Sequence, residues 1–249
     1  MNRFRISLIA ILAPIVVLAS CTGYVPRDPQ PADFPVHGID ISRWQGDVDW
    51  FSARRGGVSF AFIKATEGGD HIDPQFLANF DAAGRAGVPR SAYHFYYWCR
   101  PAMEQVAWFV ENVPNDPGAL PPVLDVEWNN ESSTCRRRPP REEVVREMHI
   151  WLNEVERFYG KRPIIYTSVD FHADNLVGEF DDYPIWVRSV AGYPVRKYDG
   201  RRWTLWQYAG DGRVPGVNGE VDRNVFAGSR EDWQRWLNGE ISHQEVARP

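Results

Sequence analysis

The feature that most constrains the fold of this chain is a repeated alternation of short apolar segments with amphipathic stretches between residues 36 and 167. Five apolar segments predict strands, at residues 36–40, 59–64, 91–97, 120–127 and 163–167. Between them, apolar residues recur at helical spacing, most clearly over residues 141–159. Strands that alternate with helices form parallel βα units. We therefore expect five such units in this part of the chain.

The pattern changes between residues 178 and 228. Three more segments predict strands, at residues 184–187, 203–208 and 220–225, but they follow one another with no room for full helices. The pattern therefore predicts an α/β protein, a modified (β/α) barrel with five βα units followed by about three strands with few helices. In such barrels the functional residues lie at the C-terminal ends of the strands.

The residues at or just past these predicted strand ends are unusual for a packed core. Four of them are acids: Asp40, Asp125, Glu127 and Asp222. The others are Lys64, Tyr93, Tyr166, Trp186, Trp206 and Gln207, and Trp44 follows the first strand. Aromatic rings present flat apolar faces that suit the C–H faces of sugar rings, although each tryptophan here can instead close the top of the core. The sequence thus predicts a site at one mouth of the barrel.

Asp125 and Glu127 are the pair with the clearest chemical meaning. Residues two apart on a strand point to the same side, so both carboxylates face one way. Like charges raise one another's pKa, which keeps one carboxylic acid protonated near neutral pH as a general acid. Hydrolysis of a bond between sugars commonly uses two carboxylates in this way. The alternative is a pair of solvated side chains at the start of a loop.

The first residues predict export. A short charged start with Arg3 and Arg5 precedes an apolar stretch at residues 6–19, which is too short to span a membrane. We expect a signal peptide at residues 1–20. Residues 18–21 resemble the lipobox of bacterial lipoproteins, which implies acylation of Cys21 and a membrane anchor. An ordinary signal peptide with an incidental cysteine is the alternative.

These features define the expected organisation of the chain. Residues 21–35 are a tether, residues 36–239 are one catalytic barrel domain, and residues 240–249 are a tail. The chain is then an exported lipoprotein that faces the periplasm or the cell exterior. In that oxidising location Cys99 and Cys135 are expected to form a disulfide, the alternative being two free thiols. Neither cysteine has a further ligand at metal-binding spacing, so we expect no metal and no cofactor.

The net charge argues against one class of partner. The formal charge is −5, and removal of the signal, which holds two arginines and no acids, takes it to −7. An acidic protein is a poor candidate for binding nucleic acid. The basic run at residues 136–138 is either a solvated loop or a contact to an anionic part of a substrate. We expect a monomer.

Several segments resemble, in their order along the chain, the signature of glycoside hydrolase family 25, the lysozymes of the Chalaropsis type. They are residues 40–46 (DISRWQG), 62–68 (FIKATEG) with Asp73 beyond, 92–95 (AYHF), 124–127 (LDVE), 165–167 (IYT), 206–208 (WQY) and 219–224 (GEVDRN). The resemblance covers roughly residues 36–226 and also implies a modified (β/α) barrel. It implies cleavage of the β-1,4 bond between N-acetylmuramic acid and N-acetylglucosamine in the glycan strands of peptidoglycan.

The resemblance also implies roles for the residues at the barrel mouth. Glu127 is the general acid and Asp125 its partner, with Asp40 and Asp222 beside them. Asp125 either contacts the reacting sugar directly or steadies its 2-acetamido group, which then attacks the anomeric carbon. The expected substrate contacts are Tyr93, Tyr166, Trp206, Gln207, Trp44, Trp186 and Lys64. For Lys64, a structural ion pair with Asp40 or Asp125 is an equal alternative.

Other functions compete with this interpretation. A chitinase-like enzyme would need further aspartates before Asp125, where Leu120 and Val123 stand. A lipoprotein that uses the same barrel to bind cell wall without cutting it has no need of all four acids. A solute-binding lipoprotein would show two similar lobes, and the sequence shows no such division. The predicted activity is therefore peptidoglycan hydrolysis, with wall binding as the alternative.

Overall fold

A computed structural model describes residues 27–246. Within this range no helix combines the length and the apolar character that crossing a bilayer requires. The predicted signal peptide at residues 1–20 and the predicted lipidation site Cys21 lie outside the described residues.

The core of the molecule is a closed barrel of eight strands. Its strands follow the order β1, β2, β4, β5, β6, β7, β8 and β9, and β9 pairs back onto β1. A two-residue strand, β3, forms a hairpin with the end of β2 and stands outside the barrel. The strands are β1 (His37–Ile41), β2 (Val58–Glu67), β3 (His71–Ile72), β4 (Arg90–Phe95), β5 (Val123–Val126), β6 (Ile164–Thr167), β7 (Ile185–Arg188), β8 (Leu205–Gly212) and β9 (Val221–Phe226).

Helices accompany only the first part of the barrel. They are α1 (Trp50–Arg55), α2 (Phe76–Arg85), α3 (Ala102–Asn112), α4 (Arg141–Tyr159), α5 (Val169–Asn175) and α6 (Arg230–Leu237). The first five follow β1, β2, β4, β5 and β6, and no α-helix separates the described strands β7, β8 and β9. The predicted modified barrel, with five βα units and three further strands, is therefore confirmed.

The last strand differs from the others in direction. Strands β1 to β8 of the barrel run parallel, whereas β9 is antiparallel to both β8 and β1. The start of β9 therefore lies at the same rim as the C-terminal ends of the other strands. This direction places Asp222, the second residue of β9, opposite Asp40 in the register with β1.

The amphipathic stripes explain how the helices pack. In α4 the buried residues form a single face of Val144, Met148, Trp151, Leu152 and Val155, with acids in the first turn and a left-handed Gly160 after the last. In α3 the sequence suggests Met103, Val106, Ala107 and Val110 as the inner face. That expectation is correct at Val106 but wrong at Met103, which is 54% exposed, and Ala102, Gln105 and Phe109 complete the buried face instead.

Both ends of the described chain pack against the barrel. Before β1, a turn of 3₁₀ helix at Pro31–Asp33 leads to Phe34, which is buried and makes an edge-to-face contact with Trp203. After α6, Ile241 and Val246 are also buried. The described parts of the predicted tether and of the predicted tail thus contribute to the core.

Candidate active site

The four acids singled out in the sequence lie together at one mouth of the barrel. Asp40 in β1 and Asp125 in β5 are each only 7% exposed, while Glu127 and Asp222 are partly exposed. The negative charge of Asp40 acts on Asp125, and that of Asp222 acts on both Asp40 and Glu127. Carboxylates that are 182 residues apart in sequence, Asp40 and Asp222, therefore belong to one electrostatic cluster.

Asp40 is held by two amide side chains. Gln207 donates to its Oδ2 over 2.9 Å, and Asn224 donates to the same oxygen over 2.7 Å. Burial and the nearby charge of Asp222 nevertheless raise the pKa of Asp40 well above its usual range. The side chains of Asp40 and Asp222 also interact directly, which raises the pKa of Asp40 and lowers the pKa of Asp222 against the upward effect of its own burial.

Glu127 combines access with a raised pKa. It stands directly after β5 and is partly exposed, so a substrate in the mouth can reach it. Burial is the main cause that raises its pKa, and the charges of Asp170 and Asp222 add to it. The cations Arg188 and Lys64 act in the opposite direction. The net effect keeps Glu127 protonated to a higher pH than an ordinary glutamate.

Asp125 lies below Glu127 on the same side of β5. Burial and the charge of Glu127 raise the pKa of Asp125 well above its usual range, with Lys64 opposing them. Its Oδ1 atom is fully enclosed and accepts no hydrogen bond from any residue that the structure describes. A buried carboxylate oxygen without a donor is unfavourable for folding, so the position is better explained by chemistry than by stability.

Two tyrosines complete the lining of the mouth. Tyr166 is the register partner of Asp125 and donates a hydrogen bond to Oε1 of Gln207 over 3.0 Å. Tyr93 lies on β4, in register with Lys64. Burial and the surrounding carboxylates raise the pKa of both phenols far above their usual value, so both stay protonated and able to donate.

Lys64 does not form the ion pair that the sequence suggested. Its ammonium lies 2.7 Å from Oε2 of Glu67, and it also stands 5.0 Å from the centre of the Phe95 ring. The expected structural pairs with Asp40 or Asp125 are therefore wrong. Lys64 still affects the acids, because its charge lowers the pKa of Asp125.

The tryptophans at the strand ends differ sharply in access. Trp44 follows β1 at the rim and is 77% exposed, with the guanidinium of Arg43 stacked 4.6 Å from its ring centre. Trp186 is buried inside the barrel, where it stacks on Phe62 and donates to Oδ1 of Asn224. Of the two, only Trp44 offers a ring face to a ligand.

Trp206 lies on the outer face of the sheet. It is 3% exposed and is enclosed by an aromatic cluster of Phe34, Tyr193, Trp203 and Tyr208. Its neighbour Gln207 faces inward, where it contacts Asp40 and Tyr166. The expectation that Trp206 stacks on a sugar therefore conflicts with its enclosed position.

Two residues at the mouth were not predicted from the sequence. Asn224 holds Asp40, and it lies two residues after Asp222 on the same face of β9. Arg188 is the exposed last residue of β7, and its charge lowers the pKa of both Glu127 and Asp222. Strand alternation could have found both residues. Asn224 lies two residues after Asp222, and Arg188 lies two residues after Trp186, so each shares a strand face with a residue that the sequence did single out.

The loop after Glu127 is fixed to the neighbouring loop. Cys99 and Cys135 form a disulfide, as predicted, which joins the β4–α3 loop to the β5–α4 loop. The basic run in this loop is largely engaged within the protein. Arg137 pairs with Glu143 over 2.7 Å, and Arg138 stacks over the ring of Trp128.

The chemistry of this site is acid–base chemistry on a bound ligand. Within residues 27–246, no group of three or more His, Cys, Asp or Glu side chains has the arrangement of a metal site. What the mouth offers is a pair of carboxylic acids with raised pKa, two protonated phenols and an exposed tryptophan face. This set suits protonation of a leaving oxygen in a carbohydrate.

Comparison with known proteins identifies the family. The family model described as glycosyl hydrolases family 25 matches residues 39–217. The chain belongs to glycosyl hydrolase family 25. It is 36% identical over 223 residues to Lysozyme M1 of Streptomyces globisporus, which covers 80% of this chain and 70% of that protein. It is 40% identical over 216 residues to the YegX protein of Escherichia coli K12, covering 84% of this chain and 76% of that protein.

Solved structures agree with this assignment. The structure of a family 25 glycosyl hydrolase from Bacillus anthracis matches with a TM-score of 0.76 and 33% identity, covering 85% of this chain and 96% of that one. This family 25 protein is therefore a glycoside hydrolase with the barrel that its sequence predicted.

Proposed function

We propose that this family 25 hydrolase cleaves the β-1,4 bond between N-acetylmuramic acid and N-acetylglucosamine in the glycan strands of peptidoglycan. Its family and its similarity to a protein named as a lysozyme support this substrate. The observation on which the proposal rests is the accessible Glu127, whose pKa is raised by burial, directly above the buried Asp125. This is the arrangement that keeps a general acid protonated beside a second carboxyl group.

Glu127 protonates the glycosidic oxygen as the leaving sugar departs. Asp125 then acts in one of the two ways that the sequence left open, either directly on the reacting sugar or on its 2-acetamido group. We favour assistance by the acetamido group, which is a known variant of the two-carboxylate scheme.

The surrounding residues hold the substrate and the acids in place. Asp40 and Asp222 share a proton close to Glu127, and Gln207 and Asn224 fix Asp40. Tyr93 and Tyr166 lie near the reacting sugar, and the phenol of Tyr93 donates to it, whereas the phenol of Tyr166 donates to Gln207. Trp44 stacks on a sugar ring further along the strand, at the rim. Lys64, paired with Glu67, borders the same mouth.

The decisive test replaces the general acid. We expect Glu127→Gln to reduce the rate of turbidity loss of purified cell wall by about 10²- to 10⁴-fold, the usual contribution of general acid catalysis. Glu131→Gln, an exposed acid in the same loop, is the matched control and should behave as wild type. If Glu127→Gln clears the wall as fast as wild type, Glu127 is not the general acid, and if neither protein clears it, the protein binds wall without hydrolysing it.

The stereochemistry of the product tests assistance by the acetamido group. Assistance by the acetamido group inverts the anomeric carbon twice, so the first-formed reducing sugar keeps its original configuration. NMR of the anomer present in the first minutes of reaction reads this directly. A product with inverted configuration would exclude acetamido assistance and leave Glu127 and Asp125 as an acid and a base that activates water.

We also propose that the chain is exported and held at a membrane by a lipid on Cys21, as a monomer. The apolar stretch at residues 6–19 and the lipobox-like segment that follows support this location. Metabolic labelling with a radioactive fatty acid should mark wild type and not Cys21→Ser. Equal labelling of the two would remove the anchor from the proposal without affecting the reaction.

A further inference from the structure

The charges around the barrel mouth are arranged in an alternating pattern. In the strand order, β5 with Asp125 and Glu127 lies across the barrel from β9 with Asp222. The two cations that act on these acids, Lys64 on β2 and Arg188 on β7, lie across the other diameter. On each of the two paths around the mouth from Asp125 and Glu127 to Asp222, there is therefore one cation.

The two cations differ in what they already bind. The ammonium of Lys64 is held by Glu67 at 2.7 Å and is mostly buried. Arg188 is exposed, and its guanidinium has no carboxylate within ion-pair distance among the residues that the structure describes. Its backbone is fixed, because its carbonyl accepts a hydrogen bond of 2.7 Å from Tyr198 and its strand position pairs with Gln207. Arg188 is thus a cation on a rigid element, available to a ligand.

Strand alternation directs Arg188 to the mouth. Trp186, two residues earlier on β7, has its ring inside the barrel against Phe62 and Tyr166. Arg188 is on the same face of the strand, one step nearer the rim. Its charge acts on Glu127 and on Asp222, which lie on opposite sides of the opening. The guanidinium therefore faces the space in which a reacting sugar must lie.

We propose that Arg188 is a specificity-determining residue that binds a carboxylate carried by the muramic residue of the substrate. This rests on the proposed function above. N-acetylmuramic acid differs from N-acetylglucosamine by a lactyl ether on O3, which ends in a carboxyl group that is either free or joined to a peptide with carboxylates of its own. A planar guanidinium fits such a group with two parallel hydrogen bonds.

The position of the lactyl group makes Arg188 suitable for this role. The ether oxygen is on the same ring as the anomeric carbon that reacts, so its recognition site must lie beside Glu127. The raised pKa values of Asp40 and Asp125 reduce the negative charge of the mouth, which lessens the repulsion of an anionic substrate. An enzyme that recognises this carboxylate would prefer the alternating glycan of the cell wall to polymers that contain only N-acetylglucosamine.

The test compares Arg188→Gln with wild type on three soluble glycan substrates. One has free lactyl carboxylates, the second has those groups converted to neutral methylamides, and the third retains its stem peptides. On a carboxylate substrate we expect Arg188→Gln to raise KM about tenfold or more with little change in kcat, the effect of losing a charge-assisted hydrogen bond. On the methylamide substrate the two enzymes should have the same KM. Arg188→Lys should restore part of the difference.

Comparison of the three substrates shows which carboxylate Arg188 binds, and some outcomes overturn the proposal. A KM effect on the free lactyl substrate assigns the lactyl group, and an effect only on the peptide-bearing substrate assigns the peptide. An equal loss on the methylamide substrate, or no loss on any, overturns the proposal, because Arg188 would then act only through the acids or not at all. Arg196→Gln, an exposed arginine that pairs with Asp28, is the matched control.

Failure of the underlying function gives a different result. If the wild-type protein turns over none of the three substrates, the proposed hydrolase activity fails and Arg188 is not at issue. If wild type is active and Glu127→Gln is not, the comparison of Arg188→Gln with wild type across the three substrates tests the carboxylate contact. The pH–rate profile adds an independent readout, since loss of the Arg188 charge raises the pKa of Glu127 on all substrates.

Discussion

The acids at the barrel mouth show how a single residue can work against folding. Asp125 is almost completely buried, one of its oxygens has no donor among the described residues, and the charges of Glu127 and Asp40 act on it. Each of these conditions disfavours an ionised carboxylate. A core chosen only for stability would hold an uncharged residue here, so the function proposed above accounts for a locally unfavourable choice.

This conflict predicts that Asp125→Asn is more stable than wild type at neutral pH. The pKa of Asp125 is raised in the folded state, so the folded protein binds this proton more tightly than the unfolded chain does. Wild-type stability therefore falls as pH rises from the unfolded pKa, about 3.9, through the raised folded pKa. Asparagine removes that loss, and we expect a gain of about 1–2 kcal/mol at pH 7 together with a large loss of activity.

Urea unfolding of the two proteins at pH 7 and pH 4 measures this effect. The gain in unfolding free energy should shrink at pH 4, where the wild-type carboxyl is protonated in the folded state and about half protonated in the unfolded chain. Asp81→Asn, an exposed aspartate on helix α2, controls for the general effect of removing one negative charge. An Asp125→Asn protein that is less stable than wild type at pH 7 would show that Asp125 is held by favourable contacts.

Most of the site was predictable at the residue level because of one rule. Barrel chemistry lies at the C-terminal strand ends, so the four acids were found from the sequence alone. The same rule misplaced Trp206, because residues 206 and 207 were both assigned to the mouth although neighbours on a strand face opposite sides. It also missed Arg188, which the same alternation places on the side of Trp186.

At the scale of elements, prediction succeeded where one physical effect dominated. Helix α4 has a continuous apolar face, and its bounds agree with the sequence pattern. In helix α3 the predicted inner face, which included Met103 and Ala107, differs from the observed buried face, which includes Gln105. That buried amide binds the backbone of Tyr97 and Arg100 and lies against His94, contacts that no local pattern reveals.

The contact between β4 and α3 predicts a specific pH dependence. His94 lies on β4 between the hydroxyl of Thr66, 2.8 Å from Nδ1, and Oε1 of Gln105, 3.0 Å from Nε2. Because the amide oxygen accepts from Nε2, Nδ1 accepts from Thr66 and the ring is neutral. Burial lowers the pKa of His94 to about 4. The unfolded chain therefore binds a proton below pH 6.5 that the folded protein does not, and the contribution of His94 to stability falls from pH 6.5 to pH 4.

We expect His94→Gln to remove this dependence. The variant should be less stable than wild type at pH 7, because glutamine fills the position less well. The difference between the two unfolding free energies should narrow by up to about 3 kcal/mol at pH 4. Urea unfolding at pH 7 and at pH 4 measures this difference, and His149→Gln, a substitution at an exposed histidine, is the control. A difference that stays constant between pH 7 and pH 4 would show that His94 carries the same charge in both states.

At the scale of the whole molecule, the barrel closes through segments from both ends of the domain. Strand β9 inserts between β1 and β8, and because it runs antiparallel it needs no crossover helix. The chain then continues through α6 to residues 240–246, which pack at the N-terminal ends of the strands. His243 and Gln244 there approach the carbonyl of Asp181, just before β7. This rim is opposite the acids, so stability and catalysis are separated across the barrel.

That separation predicts that shortening the chain lowers stability without affecting the reaction. Ile241 and Val246 are buried, and Val246 packs so closely on Gly228 that a Cβ at Gly228 would lie 2.8 Å from it. A chain ending at Gly239 loses both side chains, and we expect it to lose roughly 3–6 kcal/mol of unfolding free energy relative to a chain ending at Val246. Ile241→Ala with Val246→Ala in the longer chain should reproduce most of this loss.

At a temperature where all three proteins are folded, their kcat on cell wall should be equal, because Glu127 and its neighbours lie at the other rim. A shortened chain with unchanged stability, or one with a lower kcat while fully folded, would show that the two rims are not independent.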